Sequence, residues 1–540
     1  MERAPIAESR GFVLCFDGTG YKFRGDEADS NVLKIYRMLN RNDPRQFHYY
    51  QPGFGTYTTS IWQASNLSQT RLKRWFSNMK DAAAGTTFDE HVIDGYRFLM
   101  RFYRPGDAIY IFGFSRGAYV ARMVAEMLDH IGLLEAGNEG KVRYFWTTFS
   151  KWAKCTNSVD ADQTEKDDLY KYMKALRETF CRPVSQIRFL GLFDTVNSIP
   201  RFEVNRNKFL FPFTAKTSAQ VIRHAVAIDE HRAKFRQDLI SDTNPNTRST
   251  RRKTQDHSKR QQGRCTGEAF YRPAPVAHPQ TINVGHPRMD VDHPNPASAL
   301  SEVKDGVRDE NQNVSQDIEE VWFAGCHSDI GGGLELDDDE DIALSHVPLV
   351  WMVQEAQRAG LQFDPEKMKL FHCFDDSAGS SDLLDHLEPS TGGQTDGDHQ
   401  GDTGDRFGFD SALRRAATTG HVHDFLQYGH GASLPTVVTW KAVEYLPFRR
   451  MGLQPDGSWK PVRWPLPLGE RRDLPKEAKI HGSVVRRMNA DPRYRPENLL
   501  RDGKGKNKRP LQRGIGAWEV YANNGCSVRE TCRRKSSGTV

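Results

Sequence analysis

Tyr110-Ile111-Phe112-Gly113-Phe114-Ser115-Arg116-Gly117-Ala118-Tyr119-Val120-Ala121-Arg122 is the stretch that decides how this chain is read. Its first half is apolar and strand-like. From Arg116 onward, small and apolar residues recur on one side of a helix. Between the halves stands Gly113-x-Ser115-x-Gly117, the pattern of a nucleophile elbow. Such an elbow sets a serine on a strained strand-to-helix turn, and its glycines let neighbouring backbones come close. The strain lifts the hydroxyl clear of the sheet. The N-terminus of the next helix then offers N–H groups and a positive dipole end to a developing oxyanion. The pattern alone is common, and its weight here comes from a strand before it and a helix after it. The alternative is a tight strand–helix turn with an idle serine.

Working back towards the N-terminus, residues 11–16 (Gly-Phe-Val-Leu-Cys-Phe) form a continuous apolar run, as a buried parallel strand should. The run ends in Asp17-Gly18-Thr19-Gly20, a polar turn at the edge where open α/β sheets bind ligands. Residues 30–39 have helical spacing, with Ser30 as a cap. Residues 47–51 read as a strand, 52–56 as a loop and 81–104 as a helix. Strand and helix thus alternate up to the elbow, which predicts an α/β domain with a mainly parallel sheet.

Towards the C-terminus, residues 140–180 read as helical, with Phe145, Phe149 and Trp152 in one stripe. The stripe suits either a lid over an apolar site or an ordinary core face. The run 187–193 ends in Asp194, and 217–240 reads as a further helix. Residues 241–317 are polar and aperiodic, which predicts a disordered insertion. A buried strand over 319–325 runs into Cys326-His327-Ser328-Asp329-Ile330-Gly331-Gly332-Gly333, and a helix is expected over 347–359. The expected division is a catalytic domain over 10–360, a low-complexity linker over 375–405 and a Pro/aromatic annex packed on the core over 406–500. Residues 501–540 are expected to form a basic tail.

Bulk properties exclude several classes. The net charge of +5 over 540 residues is too weak to argue for nucleic acid as a partner. None of the eight cysteines forms a C-x-x-C pair, so no zinc or thioredoxin-like motif is signalled. Sparse cysteine usage, the absence of a signal-like apolar core in residues 1–8 and the absence of a long apolar run together predict a cytoplasmic protein. A membrane substrate would be met from outside the bilayer, as a peripheral contact. The oligomeric state is not legible.

Three strand ends therefore carry Ser115, Asp194 and His327, in the α/β-hydrolase order of nucleophile, acid and base. A serine hydroxyl needs a neutral imidazole to take its proton, and a carboxylate fixes the imidazole's tautomer. His224 and His231 compete as bases, and Asp329 and Asp17 as acids. The expected oxyanion donors are the N–H of Arg116 and the Gly18-Thr19 turn.

The segments Phe16-Asp17-Gly18-Thr19-Gly20, Gly113-Phe114-Ser115-Arg116-Gly117-Ala118, Phe193-Asp194-Thr195-Val196 and Gly325-Cys326-His327-Ser328-Asp329-Ile330-Gly331-Gly332 together resemble the DUF2235 family. These are α/β-hydrolase-like proteins that include the catalytic domain of type VI secretion phospholipase effectors. The long polar insertions and the annex make the layout more similar to fungal members. The resemblance implies an α/β-hydrolase-like, mainly parallel sheet with helices on both faces. It also implies a Ser-Asp-His triad, carried here onto Ser115, Asp194 and His327. The expected activity is a serine esterase or lipase acting on a lipid or small-molecule ester without a cofactor. The alternative is a catalytically silent scaffold that binds a partner.

Overall fold

The elbow strand and its neighbours are covered on both faces, which is why they read as unbroken apolar runs rather than alternating ones. The computed structural model describes residues 9–21, 23–53, 86–156, 163–196, 217–240, 316–337, 340–374, 408–448, 450–454, 459–500 and 515–535. Among the described residues, nine strands form the central sheet: β1 (Gly11–Phe16), β2 (Gln46–Gln51), β3 (Ala108–Phe114), β4 (Phe189–Phe193), β5 (Val221–Ala227), β6 (Asp317–Phe323), β7 (Lys479–His481), β8 (Trp518–Ala522) and β9 (Thr531–Arg534). Their spatial order is β8-β9-β7-β6-β5-β4-β3-β1-β2. From β2 to β7 every neighbouring pair is parallel, and β9 and β8 close the far edge antiparallel. The expected large, mainly parallel sheet with helices is the one observed.

Successive residues of β1 serve opposite cores. Phe12, Leu14 and Phe16 pack with helices α2 (Thr86–Phe102), α3 (Arg116–Ile131), α4 (Val142–Thr156) and α5 (Gln163–Phe180). Val13 and Cys15 pack on the other face with α1 (Asn31–Met38), and a later helix, α7 (His346–Arg358), covers the same side. Among the described residues, the one α-helix between α5 and α7 is the short α6 (His327–Gly331). Each fully buried side chain such as Leu14 or Phe112 contributes about 2 kcal/mol by leaving water.

Register sets the site. Phe16 pairs with Gly113, Phe114 with Phe193, Phe193 with Ala225 and Ala227 with Phe323. Asp17, Ser115, Asp194 and the His327 segment therefore leave the sheet along one edge, the carboxyl ends of its strands.

Three expectations need correction. Residues 217–240 are not a helix. Their centre is strand β5, because Val221, Ile222, Ala225 and Val226 suit either period and pairing between β4 and β6 selects the strand. Of the two readings of the α4 stripe, the core face is the one observed, with Phe145 and Phe149 buried against α3. The expected basic tail is in part sheet. Arg533 and Arg534 belong to β9, and Arg533 pairs with Glu519 of β8 at 2.6 Å. The aromatics of 440–467 are not all covered, for Tyr445 and Trp464 are each 67% exposed. Residues 241–315, 375–405 and 501–514 lie outside the described residues.

Candidate active site

Ser115 stands between β3 and α3 with φ 58° and ψ −125°, in the left-handed half of conformational space. Two glycines make that turn possible. A Cβ on Gly113 would lie 2.5 Å from the Cα of Ala118, and one on Gly117 would lie 2.3 Å from the carbonyl oxygen of Phe16. The Ser115 N–H donates to the carbonyl of Phe193 at 3.0 Å, which ties the elbow to the next strand.

The structure brings the three expected residues together. The Ser115 Oγ lies 2.8 Å from His327 Nε2, and His327 Nδ1 lies 2.5 Å from Asp194 Oδ2. All three are buried. The imidazole is held between the rings of Phe114 and Phe235, with centroids 4.8 and 4.7 Å away. The backbone N–H of His327 donates to the Glu230 carboxylate at 3.2 Å. Burial pushes His327 below the ordinary imidazole value of 6.5, against the pull of Asp194 and Glu230 and with that of Arg232. A neutral ring at physiological pH can accept a proton.

Asp194 also has positive φ, 39°. Burial alone would raise its carboxyl. The Arg472 guanidinium and the His327 ring outweigh burial and hold it below the usual carboxylate range. Arg472 contacts Asp194 with both terminal nitrogens, Nη1 to Oδ1 at 2.6 Å and Nη2 to Oδ2 at 2.9 Å. The Ala227 N–H donates to Oδ1 at 2.9 Å.

The rival residues have other partners. His224 lies on β5, where its Nε2 accepts the Thr195 N–H at 3.2 Å and its Nδ1 faces Glu320 at 3.0 Å. His231 faces Asp424 at 2.8 Å. Asp329 accepts the N–H of Cys326 and pairs with His423 at 2.7 Å, so it orders the loop that carries His327. Asp17 accepts from Ser30 Oγ at 2.6 Å, Tyr50 Oη at 2.7 Å and the Gly18 N–H at 2.7 Å. Burial still pushes it up to about 6.

Of the expected oxyanion donors, Arg116 opens α3 directly after Ser115. The Gly18 N–H is committed to Asp17 and is not aimed at a substrate. The Thr19 Oγ1 is buried without a hydrogen-bond partner. Among the described residues, no group of three or more His, Cys, Asp or Glu could hold a metal ion. Sequence reasoning missed Arg472, Arg232 and His423. His231, a competing base in the sequence, lies after β5 and not on a helix.

A model of the T6SS phospholipase effector Tle1-like catalytic domain matches residues 10–355. The chain belongs to that family. The family description suggests a lipase or phospholipase activity, and it covers Ser115, Asp194 and His327 but not Arg472. A relative, the uncharacterized protein YEL023C of Saccharomyces cerevisiae, is 28% identical over 570 residues, covering 91% of this chain and 81% of its own. Two solved structures are similar. An uncharacterized protein from Pseudomonas aeruginosa is 19% identical with a TM-score of 0.29, over 66% of this chain and 47% of that one. The Tle1 effector bound to the VgrG spike from the type 6 secretion system is 16% identical with a TM-score of 0.25, over 61% of this chain and 52% of that one. The chain spans about half the length of each of these two structures.

Proposed function

We propose that the protein is a serine hydrolase that cleaves acyl esters of lipids, with phospholipids as the substrate class. The observation that carries this reading is the unbroken line from Ser115 Oγ through His327 to Asp194, at 2.8 and 2.5 Å, built on a serine with positive φ. Ser115 attacks the acyl carbonyl while His327 Nε2 takes its proton. The Arg116 and Thr19 N–H groups receive the developing oxyanion. His327 then returns the proton to the leaving alcohol, leaving Ser115 acylated. A water activated by the same imidazole releases the fatty acid. Asp194 holds the imidazole's tautomer and stabilises the imidazolium formed in each half.

The lipid class rests on the family and on a surface next to the site. The helix Leu434–Val443 turns Trp440 inward onto Phe235, 5.5 Å away, and Phe235 in turn packs on His327. Its outer side exposes Leu434 and Val438, followed by exposed Tyr445 and Leu446, and Leu468 is bonded beside it through the Glu444 carbonyl. An apolar rim with interfacial aromatics suits peripheral contact with a bilayer. Among the described residues no helix is long and apolar enough to cross a membrane.

The test is fatty-acid release from phosphatidylcholine vesicles by wild type and by Ser115→Ala. Release that falls by about 10⁴-fold or more in the variant is expected. Equal release from both, or none from a well-folded wild type, would sink the reading and favour a silent scaffold.

A further inference from the structure

Arg472, which grips the acid of the triad, lies outside the family's matched span. We infer that Arg472 positions the Asp194–His327 pair, so that the catalytic unit includes the C-terminal segment. Four directions of the Asp194 carboxylate are taken. Oδ1 accepts from Ala227 N–H and Arg472 Nη1, and Oδ2 faces His327 Nδ1 and Arg472 Nη2. A planar guanidinium gripping both oxygens fixes the plane of the carboxylate, and with it the aim of Oδ2 at the imidazole.

The arginine is itself held. Its side chain and that of Asp194 are both 0% exposed. Nη1 also donates to the Ala227 carbonyl at 3.1 Å, and Nη2 to that of Phe235. The backbone on either side is pinned by the loop after β5. Arg236 donates to the carbonyls of Glu470 and Arg471, and Gln237 to that of Asp473. The same C-terminal segment braces the histidine loop, through His423 on Asp329. A guanidinium stripped of water and placed on one carboxylate is a costly arrangement, and a merely stabilising charge pair would not need it.

The arginine has an electrostatic effect as well. The charged groups around His327 are Asp194, Glu230 and Arg232, with Arg472 behind Asp194. Glu230 is already neutralised by Arg232, which grips it at 3.0 and 2.7 Å. Arg472 does the same for Asp194 and so keeps the imidazole from becoming too basic. Without it, the buried carboxylate keeps the Ala227 N–H but faces the ring with no other countercharge.

This inference depends on the proposed function only for its rate readout. The experiment measures the midpoint of His327 by NMR titration of selectively labelled full-length protein, beside the pH profile of kcat/KM on a soluble ester. In Arg472→Met the His327 midpoint, and the acid limb of the profile, should move up by about one pH unit. Its kcat should fall by about 100-fold with KM little changed. Arg472→Lys keeps the charge but not the two-pronged grip. It should keep the wild-type midpoint and recover only part of the rate. A folded Arg472→Met with an unmoved His327 midpoint would overturn the inference. So would Arg472→Lys with the full wild-type rate, which decides the matter even if the methionine variant fails to fold. A midpoint that moves as expected in a protein without esterase activity would keep the inference and remove the proposed function alone.

Discussion

Asp17 and Asp194 are buried carboxylates at the same edge of one sheet, one strand-end apart from Ser115 on either side. Asp17 meets only neutral donors, two hydroxyls and the Gly18 N–H, and stays raised at about 6. Asp194 meets a guanidinium and an imidazole and is driven below the usual range. Hydrogen bonds alone did not offset desolvation at Asp17, whereas an opposite charge at Asp194 did. The contrast separates two jobs. Asp194 is a permanent anion that can orient and stabilise an imidazolium. Asp17 is a brace that folds the 18–20 turn against Ser30 and Tyr50.

The largest effect expected from this contrast is at Asp194. Asp194→Asn should lower kcat by about 10⁴-fold while leaving the fold intact, because the amide offers His327 the wrong hydrogen-bond pattern. Steady-state kinetics check this, and a loss of less than about ten-fold would place the working carboxylate elsewhere.

A smaller effect is expected at Asp17, and the two carboxylates should carry opposite pH signs. The folded value of Asp17 lies above its unfolded one. Its contribution to stability is present below 3.8 and is lost as the pH rises through about 6. The folded value of Asp194 lies below 3.8, so its contribution is present above that pH and is lost as the pH falls. Asp17→Asn should therefore cost about 1–2 kcal/mol and flatten the fall in stability between pH 3.8 and about 6. Thermal unfolding across that window checks it, and equal slopes in wild type and variant would contradict the assignment.

The smallest effect is expected from the polar insertion. Its flanks already meet at the sheet, where the Ile240 N–H donates to Glu320 at 2.8 Å and Gln316 donates to the Ala219 carbonyl at 2.9 Å. Deleting residues 246–310 should leave esterase activity within about two-fold, since long surface loops cost little to close. Loss of soluble protein on deletion would show that the insertion belongs to the core.

The residues that could be read from the sequence share one property. Ser115, Asp194 and His327 each follow an apolar run, and a parallel sheet turns that pattern into position. Arg472 has no such signature. It sits in an irregular, proline-rich segment whose path is set by contacts with Arg236 and Gln237, more than two hundred residues earlier. Strand β7 is three residues long, and β9 is four with two arginines, so neither carries a period that betrays it. His224 was assigned to a helix because its neighbours fit both periods, and only pairing with β4 and β6 decides between them. The sequence also shows where an oxyanion turn could be. It could not show that Asp17 claims the Gly18 N–H, which leaves Thr19 as the turn's donor in the proposed mechanism.

The most direct measurement is labelling by a fluorophosphonate probe, which reacts only with an activated serine, on wild type, Ser115→Ala and His327→Ala. Strong labelling of wild type, with none in either variant, is the expected result. Labelling that survives Ser115→Ala, or a folded wild type that takes no label, would contradict an activated Ser115 and with it the proposed hydrolase.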